Sequence, residues 1–279
     1  MDCKNWKTNI PAWVKVYGED AEAYLQSQFS QAITTLSTGE STYGLLLSLK
    51  GKVRADGFIN RVDSETFQIV SYHCSASTLI EILEENVIAD EVEFEKLGTG
   101  GSFVTLDSSA KEQYPNAIVF PGRWMKQPHW DVILPEGEST RDDCSSMKGL
   151  ERIRIQDGMV AVPSDIGPNE LPQEGRLEEV AVCFNKGCFL GQEVMARLKA
   201  MGKVQKSIFL IKGTGEAPAS GSEIYRDNKK GGELRSTCRL DEENAWIGLA
   251  LLRWKMVEDK DAGNWFIQPN TAIEILEKV

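Results

Sequence analysis

A single thiol lies in the stretch K-G-C-F-L-G-Q-E-V-M-A-R, residues 186–197. Apolar residues recur there at Leu190, Val194 and Leu198, a spacing that predicts a helix beginning near Leu190. Cys188 then precedes a helix N-terminus, where the partial positive charge of the helix and the neighbouring lysine favour the thiolate. The spacing alone does not distinguish a reactive cysteine from an inert cysteine buried in a tight loop, and free cysteines are commonly small core residues.

The residues around this thiol carry three further expectations. Glu193 falls in the first turn of the predicted helix, where a carboxylate is favoured but opposes thiolate formation. Glu193 and Arg197 are four residues apart, in the order that favours an ion pair on a helix. The glycines at 187 and 191 permit backbone angles that other residues avoid.

A strand carboxylate is the second group that could do chemistry. Asp56 follows L-S-L-K-G-K-V-R-A, on what we interpret as the second arm of a hairpin. A carboxylate that faces a cavity can orient an amine or act as an acid or base, whereas a solvated carboxylate does neither. Three tryptophans could stack on a flat heterocycle or could simply pack in the core, namely Trp13, Trp124 and Trp130.

Composition limits the classes of function. The chain has 279 residues and a formal net charge of −11, which argues against broad contact with nucleic acid or anionic lipid. It contains no apolar run long enough to span a membrane, and its N-terminus resembles neither a signal nor a transit peptide. Six scattered cysteines favour a reducing compartment, and we expect a cytoplasmic protein. Two histidines and no C-x-x-C pair predict no metal site.

The first hundred residues predict an α+β unit. Residues 12–17 alternate as a strand, and Asp20 is a candidate N-cap for the helix that follows, which we expect to carry Ala32 on its apolar stripe. A hairpin and a third strand come next, and Thr78 with Glu81 match a capping box that opens a second helix. This order favours a mainly antiparallel sheet with helices.

The rest of the chain predicts a second α+β unit and a barrel. Short strands occupy residues 100–135, and helical spacing surrounds Leu150. The long irregular stretch 161–175 is of a kind that is often functional. Five short strands after Gln205 predict a small antiparallel barrel. The predicted organisation is therefore residues 1–204, as two subdomains of roughly 1–100 and 101–204, followed by a barrel over 205–279.

The order of motifs resembles the YgfZ family, the folate-binding relatives of the glycine cleavage T-protein. K-G-C-F-L-G-Q-E-V-M-A-R, reached through P-Q-E-G-R-L-E-E-V-A-V-C-F-N, is similar to the signature of that family. Y-G-E-D-A-E-A-Y-L-Q-S-Q resembles the N-terminal helix of the superfamily, and S-T-Y-G-L-L-L-S-L-K-G-K-V-R-A-D resembles its following hairpin. The resemblance covers most of the chain in the same order.

The resemblance implies a fold and a role. The fold would be a T-protein-like ring of three subdomains with ferredoxin-like α/β parts, closed by the C-terminal β-barrel, and tetrahydrofolate or a derivative would lie in its channel. The role would be the assembly or repair of iron–sulfur proteins and, through them, tRNA modification. The implied partners are folate and iron–sulfur client or assembly proteins, with no direct nucleic acid and no membrane.

The resemblance also assigns residues. It makes Cys188 the functional thiol and its motif Lys186, Gly187, Gly191, Gln192, Glu193 and Arg197. Asp56 falls where the T-protein branch places its catalytic aspartate, so Cys188 and Asp56 are the candidate catalytic groups. Cofactor contacts are expected from Asp56 and from a set of apolar and basic residues comprising Trp13, Arg123, Trp124 and Leu150.

Two departures from the T-protein branch bear on these assignments. The G-Y-T-G-E stretch, whose glutamate holds the pterin, is replaced by F-P-G-R-W-M-K-Q-P-H-W, in which Arg123 and Trp124 are the candidate substitutes. A folate-lining tryptophan is replaced by Leu150 or a neighbour. Two alternatives therefore stay open beside the first: an aminomethyltransferase acting on a lipoylated carrier protein, and a non-catalytic folate-binding scaffold.

Overall fold

The computed structural model describes residues 4–98, 100–240, 244–258, 263–267 and 271–279. Its strands are β1 Asn5–Thr8, β2 Ala12–Tyr17, β3 Ser41–Leu47, β4 Val53–Arg61, β5 Thr66–Ser71, β6 Glu93–Lys96, β7 Gly101–Thr105, β8 Ile118–Pro121, β9 Trp130–Leu134, β10 Lys206–Thr214, β11 Glu223–Arg226, β12 Lys229–Leu240, β13 Ala245–Arg253, β14 Trp265–Ile267 and β15 Thr271–Lys278. Its helices are α1 Ala21–Gln28, α2 Ala76–Glu84, α3 Ala110–Gln113, α4 Met147–Gln156, α5 Glu178–Ala181, α6 Gln192–Met201 and α7 Trp254–Glu258, with a 3₁₀ turn at Pro172–Gly175.

Two antiparallel sheets form the first part of the chain. The larger has the strand order β3-β4-β5-β2-β6, and the smaller has the order β1-β7-β9-β8. Apolar residues of β2, β4 and β5 pack with those of α1 and α2 into a core on one face of the larger sheet. The predicted hairpin is present, since β3 and β4 pair from Ser41↔Asn60 to Leu47↔Val53.

The C-terminal strands close into a six-stranded antiparallel barrel in the order β10-β13-β12-β11-β14-β15. The α+β class and the barrel predicted from the sequence are both confirmed. The prediction of five strands is wrong, because β14 has only three residues, too few for an alternating pattern to be recognised. The predicted boundary near Gln205 lies directly before β10.

A central apolar cluster joins the three sheets. It includes Phe58 and Val70 from the larger sheet, Phe120 from the smaller sheet, and Leu249 from the barrel. Leu150 on α4 is fully buried in the same cluster. Side chains that point into this cluster from any of the sheets therefore lie at the junction of all three parts of the chain.

Two local expectations were wrong. The N-cap of α2 is Ser75, whose hydroxyl accepts the backbone N–H of Thr78, so the true cap lies three residues before the predicted box. Ala32 lies beyond α1, which ends at Gln28. Asp20 is the N-cap residue of α1, as predicted, but its carboxylate accepts the N–H of Glu91 and makes no capping hydrogen bond to its own helix. Among the described residues, no helix is both long and apolar enough to cross a bilayer.

Candidate functional site

Asp56 lies on the face of β4 that points toward the central cluster. Strand alternation sends Ala55 and Ile59 to the helix-covered face, so that Asp56 and Phe58 face the cluster. Tyr43 of β3 donates a hydrogen bond to Oδ2 of Asp56 at 2.7 Å, and Ser71 of β5 donates to Oδ1 at 3.0 Å. Asp56 is 5% exposed, and both hydrogen-bond donors to its carboxylate come from the strands on either side of β4.

Burial and hydrogen bonding act in opposite directions on this carboxylate. Desolvation raises the pKa of Asp56, and it outweighs the hydrogen bond from Tyr43, which lowers it. Electrostatic interactions with His73 and Arg123, and then the hydrogen bond from Ser71, also lower the pKa of Asp56. Burial likewise raises the pKa of Tyr43, which therefore stays a hydrogen-bond donor to Asp56. The site is a polar pair enclosed by an apolar surrounding.

Arg123 reaches this pair from the turn that follows β8. Its guanidinium lies over the ring of Tyr43, 4.2 Å from the centroid, in cation–π geometry. Its backbone N–H donates to the hydroxyl of Tyr72 at 3.1 Å. The predicted Arg123 therefore does lie beside Asp56 and Tyr43, and the turn that carries it is fixed by a residue of the larger sheet.

A buried network behind Arg123 holds that turn in place. Tyr72 donates to Asp131 at 2.7 Å, and the indole N–H of Trp124 donates to the other oxygen of Asp131 at 3.1 Å. The backbone N–H of Trp124 donates to Nε2 of His129 at 3.0 Å. Burial raises the pKa of Asp131 to about 7, against the two hydrogen bonds that lower it. The network positions Arg123 without presenting its own carboxylate to solvent.

The remaining predicted cofactor residues occupy different positions. Trp124 is fully buried and stacks on Tyr72 with ring centroids 4.6 Å apart, so its ring faces inward. Trp13 is half-buried on β2, and its indole N–H donates to Gln68 at 2.9 Å. Leu150 is fully buried in the central cluster. Their contact with a cofactor stays a prediction, and Trp13 is the one of the three with exposed surface.

Cys188 is exposed and lies four residues before the start of α6 at Gln192. The ammonium of Lys186 does not point toward this thiol. It donates to three backbone carbonyls at the C-terminal end of α1, those of Gln26, Phe29 and Gln31, the last at 2.8 Å. Burial lowers the pKa of Lys186 to about 8. Lys186 therefore attaches the cysteine loop to α1, a role that its place in the motif does not reveal.

Gly191 brings the same loop against the β3–β4 hairpin. It has φ of +84°, and a Cβ there would lie 2.7 Å from the carbonyl oxygen of Ser48. Gly51 in the hairpin turn has φ of +68°, and its Cβ would lie 3.0 Å from Val194 of α6. The hairpin that carries Asp56 in its second strand thus docks by its turn on the cysteine motif. Asp56 lies five residues along β4 from this turn, about 17 Å at strand rise.

The other motif residues point outward. Gln192 is half-buried, whereas Glu193 and Arg197 are exposed and are not in ion-pair contact with each other, so the predicted pair is absent. A Cβ at Gly187 would meet no atom within 4 Å. Their positions leave Glu193, Arg197 and Cys188 on accessible surface around the entrance to α6.

Replacing Lys186 by methionine should lower the free energy of unfolding by about 2–3 kcal/mol, because the carbonyls of α1 lose a charged donor. It should also loosen the loop that carries Cys188. Urea denaturation tests the first effect, and hydrogen exchange of the amides of Cys183 and Leu190, which bond to Ser30 and Ser27, tests the second. Lys199→Met on the exposed face of α6 is the matched control. Equal stability of the two variants would contradict the anchoring role.

Sequence reasoning missed Tyr43, Ser71 and the Asp131 network. Tyr43 lies two residues before Leu45, which is the register partner of Asp56, so hairpin pairing combined with alternation could have placed Tyr43 near the carboxylate. Ser71 closes the pair from a strand whose register the sequence does not specify. Asp131 belongs to the other sheet, and no local pattern relates it to Tyr72.

Known proteins resemble this chain in the part that carries Asp56 and along most of its length. Residues 11–106 match the family described as the GCVT N-terminal domain, a segment that contains β2 to β7 and therefore Asp56, Tyr43 and Ser71. The tRNA-modifying protein YgfZ of Sodalis glossinidius is 24% identical, over 92% of this chain and 89% of its own length. The mitochondrial iron–sulfur cluster assembly factor IBA57 of Mus musculus is 28% identical, over 49% of this chain and 37% of its own length.

Among solved structures, the glycine cleavage system aminomethyltransferase T of Bartonella henselae superimposes with a TM-score of 0.78. The alignment covers 98% of this chain and 85% of that protein at 14% identity. At this identity the likeness establishes the fold alone. It confirms the predicted T-protein-like architecture.

Proposed function

The matches to YgfZ proteins, to the GCVT N-terminal domain and to a T-protein structure support assignment of this chain to the YgfZ family, as its motifs predicted. From this premise we propose that the chain is a folate-binding protein that supports iron–sulfur cluster assembly or repair and, through iron–sulfur enzymes, tRNA modification. Tetrahydrofolate or a derivative is the proposed cofactor. Iron–sulfur client or assembly proteins are the proposed partners.

The observation that carries the folate part is the environment of Asp56. Each carboxylate oxygen accepts one hydrogen bond, from Tyr43 or from Ser71, and retains a lone pair for a second donor. A reduced pterin offers N–H donors of that kind, together with a flat ring. The raised pKa of Asp56 and the cation–π contact of Arg123 make the site polar but poorly solvated. The residues therefore fit a folate headgroup.

In this proposal Asp56 accepts a pterin N–H or amine proton, and Tyr43 and Ser71 fix its orientation. Arg123 contributes positive charge beside the same group. A bound reduced folate would supply one-carbon carrier chemistry. Trp13, the one tryptophan among the predicted contacts with exposed surface, would face a ligand ring.

Cys188 has a separate part in the proposal. No hydrogen bond joins it to Asp56, Tyr43, Ser71 or Arg123 in the described chain, and Cys188 is exposed whereas Asp56 is buried. An exposed thiol on a loop anchored by Lys186 is accessible to another protein. We therefore assign Cys188 to the contact with an iron–sulfur client or assembly protein, and Asp56 to the folate.

Asp56→Ala should weaken tetrahydrofolate binding by about 10- to 100-fold, the effect of losing a hydrogen bond to a charged group. Titration monitored by tryptophan fluorescence measures it, with Asp63→Ala, an exposed carboxylate in the β4–β5 turn, as the matched control. Absence of binding in the unmodified protein would remove the folate part. Equal affinities of the two variants would remove Asp56 from the site.

Cys188→Ser should abolish the support of iron–sulfur enzyme activity in a deletion strain while leaving tetrahydrofolate affinity unchanged, because the thiol lies apart from Asp56. Cys183→Ser, in the same loop, is the control. Full activity of the Cys188 variant would leave the scaffold function. Turnover of aminomethyl groups with a glycine cleavage carrier protein would instead favour the aminomethyltransferase.

A further inference from the structure

A groove runs along α4, between this helix, β1 and the turn that joins β8 to β9. Four residues at helical spacing, in α4 and its two caps, form one wall, namely Ser146, Gly149, Ile153 and Asp157. The remaining lining residues are Lys4, Trp6, Leu106, Met125, Gln127 and Ser145. The volume of this α4 groove is about 990 Å³, at the upper end of the range for small-ligand sites, and its lining includes neither Asp56 nor Cys188.

The indole N–H of Trp6 is an unused hydrogen-bond donor in the α4 groove. Trp6 is 6% exposed, and its N–H has no hydrogen-bond partner in the described part of the chain. The indole N–H of Trp246 also lacks a partner there but is closed off from solvent, whereas that of Trp6 opens into the groove. Because most nearly buried donors in folded proteins are paired, this accessible N–H indicates that the groove takes a ligand that accepts a hydrogen bond.

The N-terminus of α4 presents further donors at the same place. Ser146 is the N-cap of this ten-residue helix, but its side chain makes no capping hydrogen bond. The N–H groups of Met147 and Lys148 have no acceptor within the helix. A Cβ on Gly149, in the same turn, would lie 3.7 Å from Nε1 of Trp6, so the indole N–H meets the start of the helix. These donors converge on one end of the groove.

Charge selects the kind of acceptor. Lys4 and Asp157 are the two charged side chains among the described residues that line the groove. Lys4 extends the pairing of β1 by accepting the N–H of Leu106, so its side chain projects to the same side as that of Trp6, two residues on. Asp157 lies at the other end of α4, about 16 Å from Ser146 at helical rise. The donor end therefore combines one full positive charge with the partial charge of a helix N-terminus, which suits a single negative charge.

The rest of the groove is largely apolar. Ile153 lies between Ser146 and Asp157 along α4, and Leu106 and Met125 contribute further apolar surface. Met125 is 5% exposed, so its side chain forms part of a packed wall. A ligand that fills the groove therefore carries an acidic group at one end and an apolar body behind it.

We propose that the α4 groove is a second ligand site, and that it binds a monocarboxylic acid with an apolar body. The carboxylate accepts hydrogen bonds from the indole N–H of Trp6, the hydroxyl of Ser146 and the free N–H groups of α4, and it pairs with Lys4. The apolar body packs on Ile153 and its apolar neighbours. This site is independent of the folate and of the cysteine assigned above.

The probe is 4-phenylbutyrate, and 4-phenylbutanamide is its neutral control of the same shape. Calorimetric titration of the full chain should show saturable binding of the acid, at least about tenfold tighter than that of the amide, because hydrogen bonds to a charged acceptor are the stronger ones. In proton–nitrogen NMR spectra the indole signal of Trp6, identified by its absence in Trp6→Phe, should move downfield as the acid binds. The indole signal of Trp246, in the barrel core, should not.

Substitutions in the groove test its donor end. Trp6→Phe and Lys4→Gln should each weaken binding of the acid at least about fivefold, the effect of one hydrogen bond. Ser146→Asp should abolish binding, because it places a carboxylate at the helix N-terminus, and it should keep the fold, since Asp is as good an N-cap as Ser. Lys229→Gln, in the barrel, is the control and should bind as the unmodified protein does. Urea denaturation confirms that each variant is folded.

Three results would overturn the proposal. The first is no binding of 4-phenylbutyrate at about 10 mM, well above a millimolar dissociation constant. The second is equal binding of the acid and the amide, or an indole signal of Trp6 that does not move. The third is equal affinity of Ser146→Asp and Lys229→Gln for the acid. Asp56→Ala should bind the acid as the unmodified protein does, so a failure of the folate proposal and a failure of this one are distinguishable.

Discussion

Replacing Arg154 by methionine is expected to lower the free energy of unfolding by about 3–5 kcal/mol, the cost of leaving a buried charge without its partner. Arg154 on α4 is 4% exposed and donates to Asp165, itself fully buried, at 2.8 Å. It also donates to the carbonyl of Met159 at 2.6 Å and to the hydroxyl of Ser236 on β12 at 2.9 Å. Methionine fills similar volume but leaves the Asp165 carboxylate uncompensated.

Urea denaturation measures this loss, and Arg141→Met is the matched control. Arg141 pairs with Asp143 at 2.8 Å, but both side chains are largely exposed, so its removal should cost at most about 1 kcal/mol. Adding Asp165→Asn to Arg154→Met should recover part of the lost stability, since a neutral amide is less costly to bury than an unpaired carboxylate. A loss in Arg154→Met no greater than that in Arg141→Met would show that the pair does not stabilise the fold.

The same contacts change the interpretation of the irregular stretch 161–175. Its length suggested a functional loop, but Asp165 is bonded to α4 and accepts a hydrogen bond from Ser236 of the barrel. Glu170 pairs with Arg235 of β12 at 2.9 Å, and its carbonyl accepts the N–H of Val53 in the larger sheet. The stretch therefore connects the larger sheet, α4 and the barrel. Side chains accept hydrogen bonds from its irregular backbone, which composition does not show.

Elements with strong local patterns could be predicted from the sequence. The β3–β4 hairpin, α4, α6 and five of the six barrel strands follow from period-2 or helical spacing. Helix N-caps are harder to predict than helices, because any of several Ser, Thr and Asp side chains near a helix start can act as the cap. At α2 the hydroxyl of Ser75 does so, three residues before the predicted Thr78.

The candidate site could be predicted only in part. Asp56 and Arg123 were selected by motif position, and the structure places them around one tyrosine. Tyr43 and Ser71 depend on strand register, and Asp131 depends on the packing of one sheet against another, so none carries a local signal. The sequence predicts that Lys186 acts on Cys188, yet its ammonium donates to three backbone carbonyls at the end of α1, where the last carbonyls of a helix lack partners within the helix.

Gly191→Ala is expected to lower the free energy of unfolding by about 3 kcal/mol, because it combines left-handed backbone strain of about 1–2 kcal/mol with a backbone collision. Gly191 has φ of +84°, and its new Cβ would lie 2.7 Å from the carbonyl oxygen of Ser48 and 3.3 Å from Cα of Gly51. Neither neighbour is the flexible end of a side chain. The β3–β4 turn must move away, and with it the contact between the cysteine motif and the hairpin of Asp56.

Gly187→Ala provides the matched control within the same motif. A Cβ there meets nothing within 4 Å, so this variant should stay within about 0.5 kcal/mol of the unmodified protein in urea denaturation. Similar losses in the two variants would show that Gly191 is not required for docking. If Gly187→Ala is stable but fails to support iron–sulfur enzyme activity, then a partner protein that approaches Cys188 requires the space left by the absence of a side chain at position 187. In that case Gly191 is required for stability and Gly187 for function.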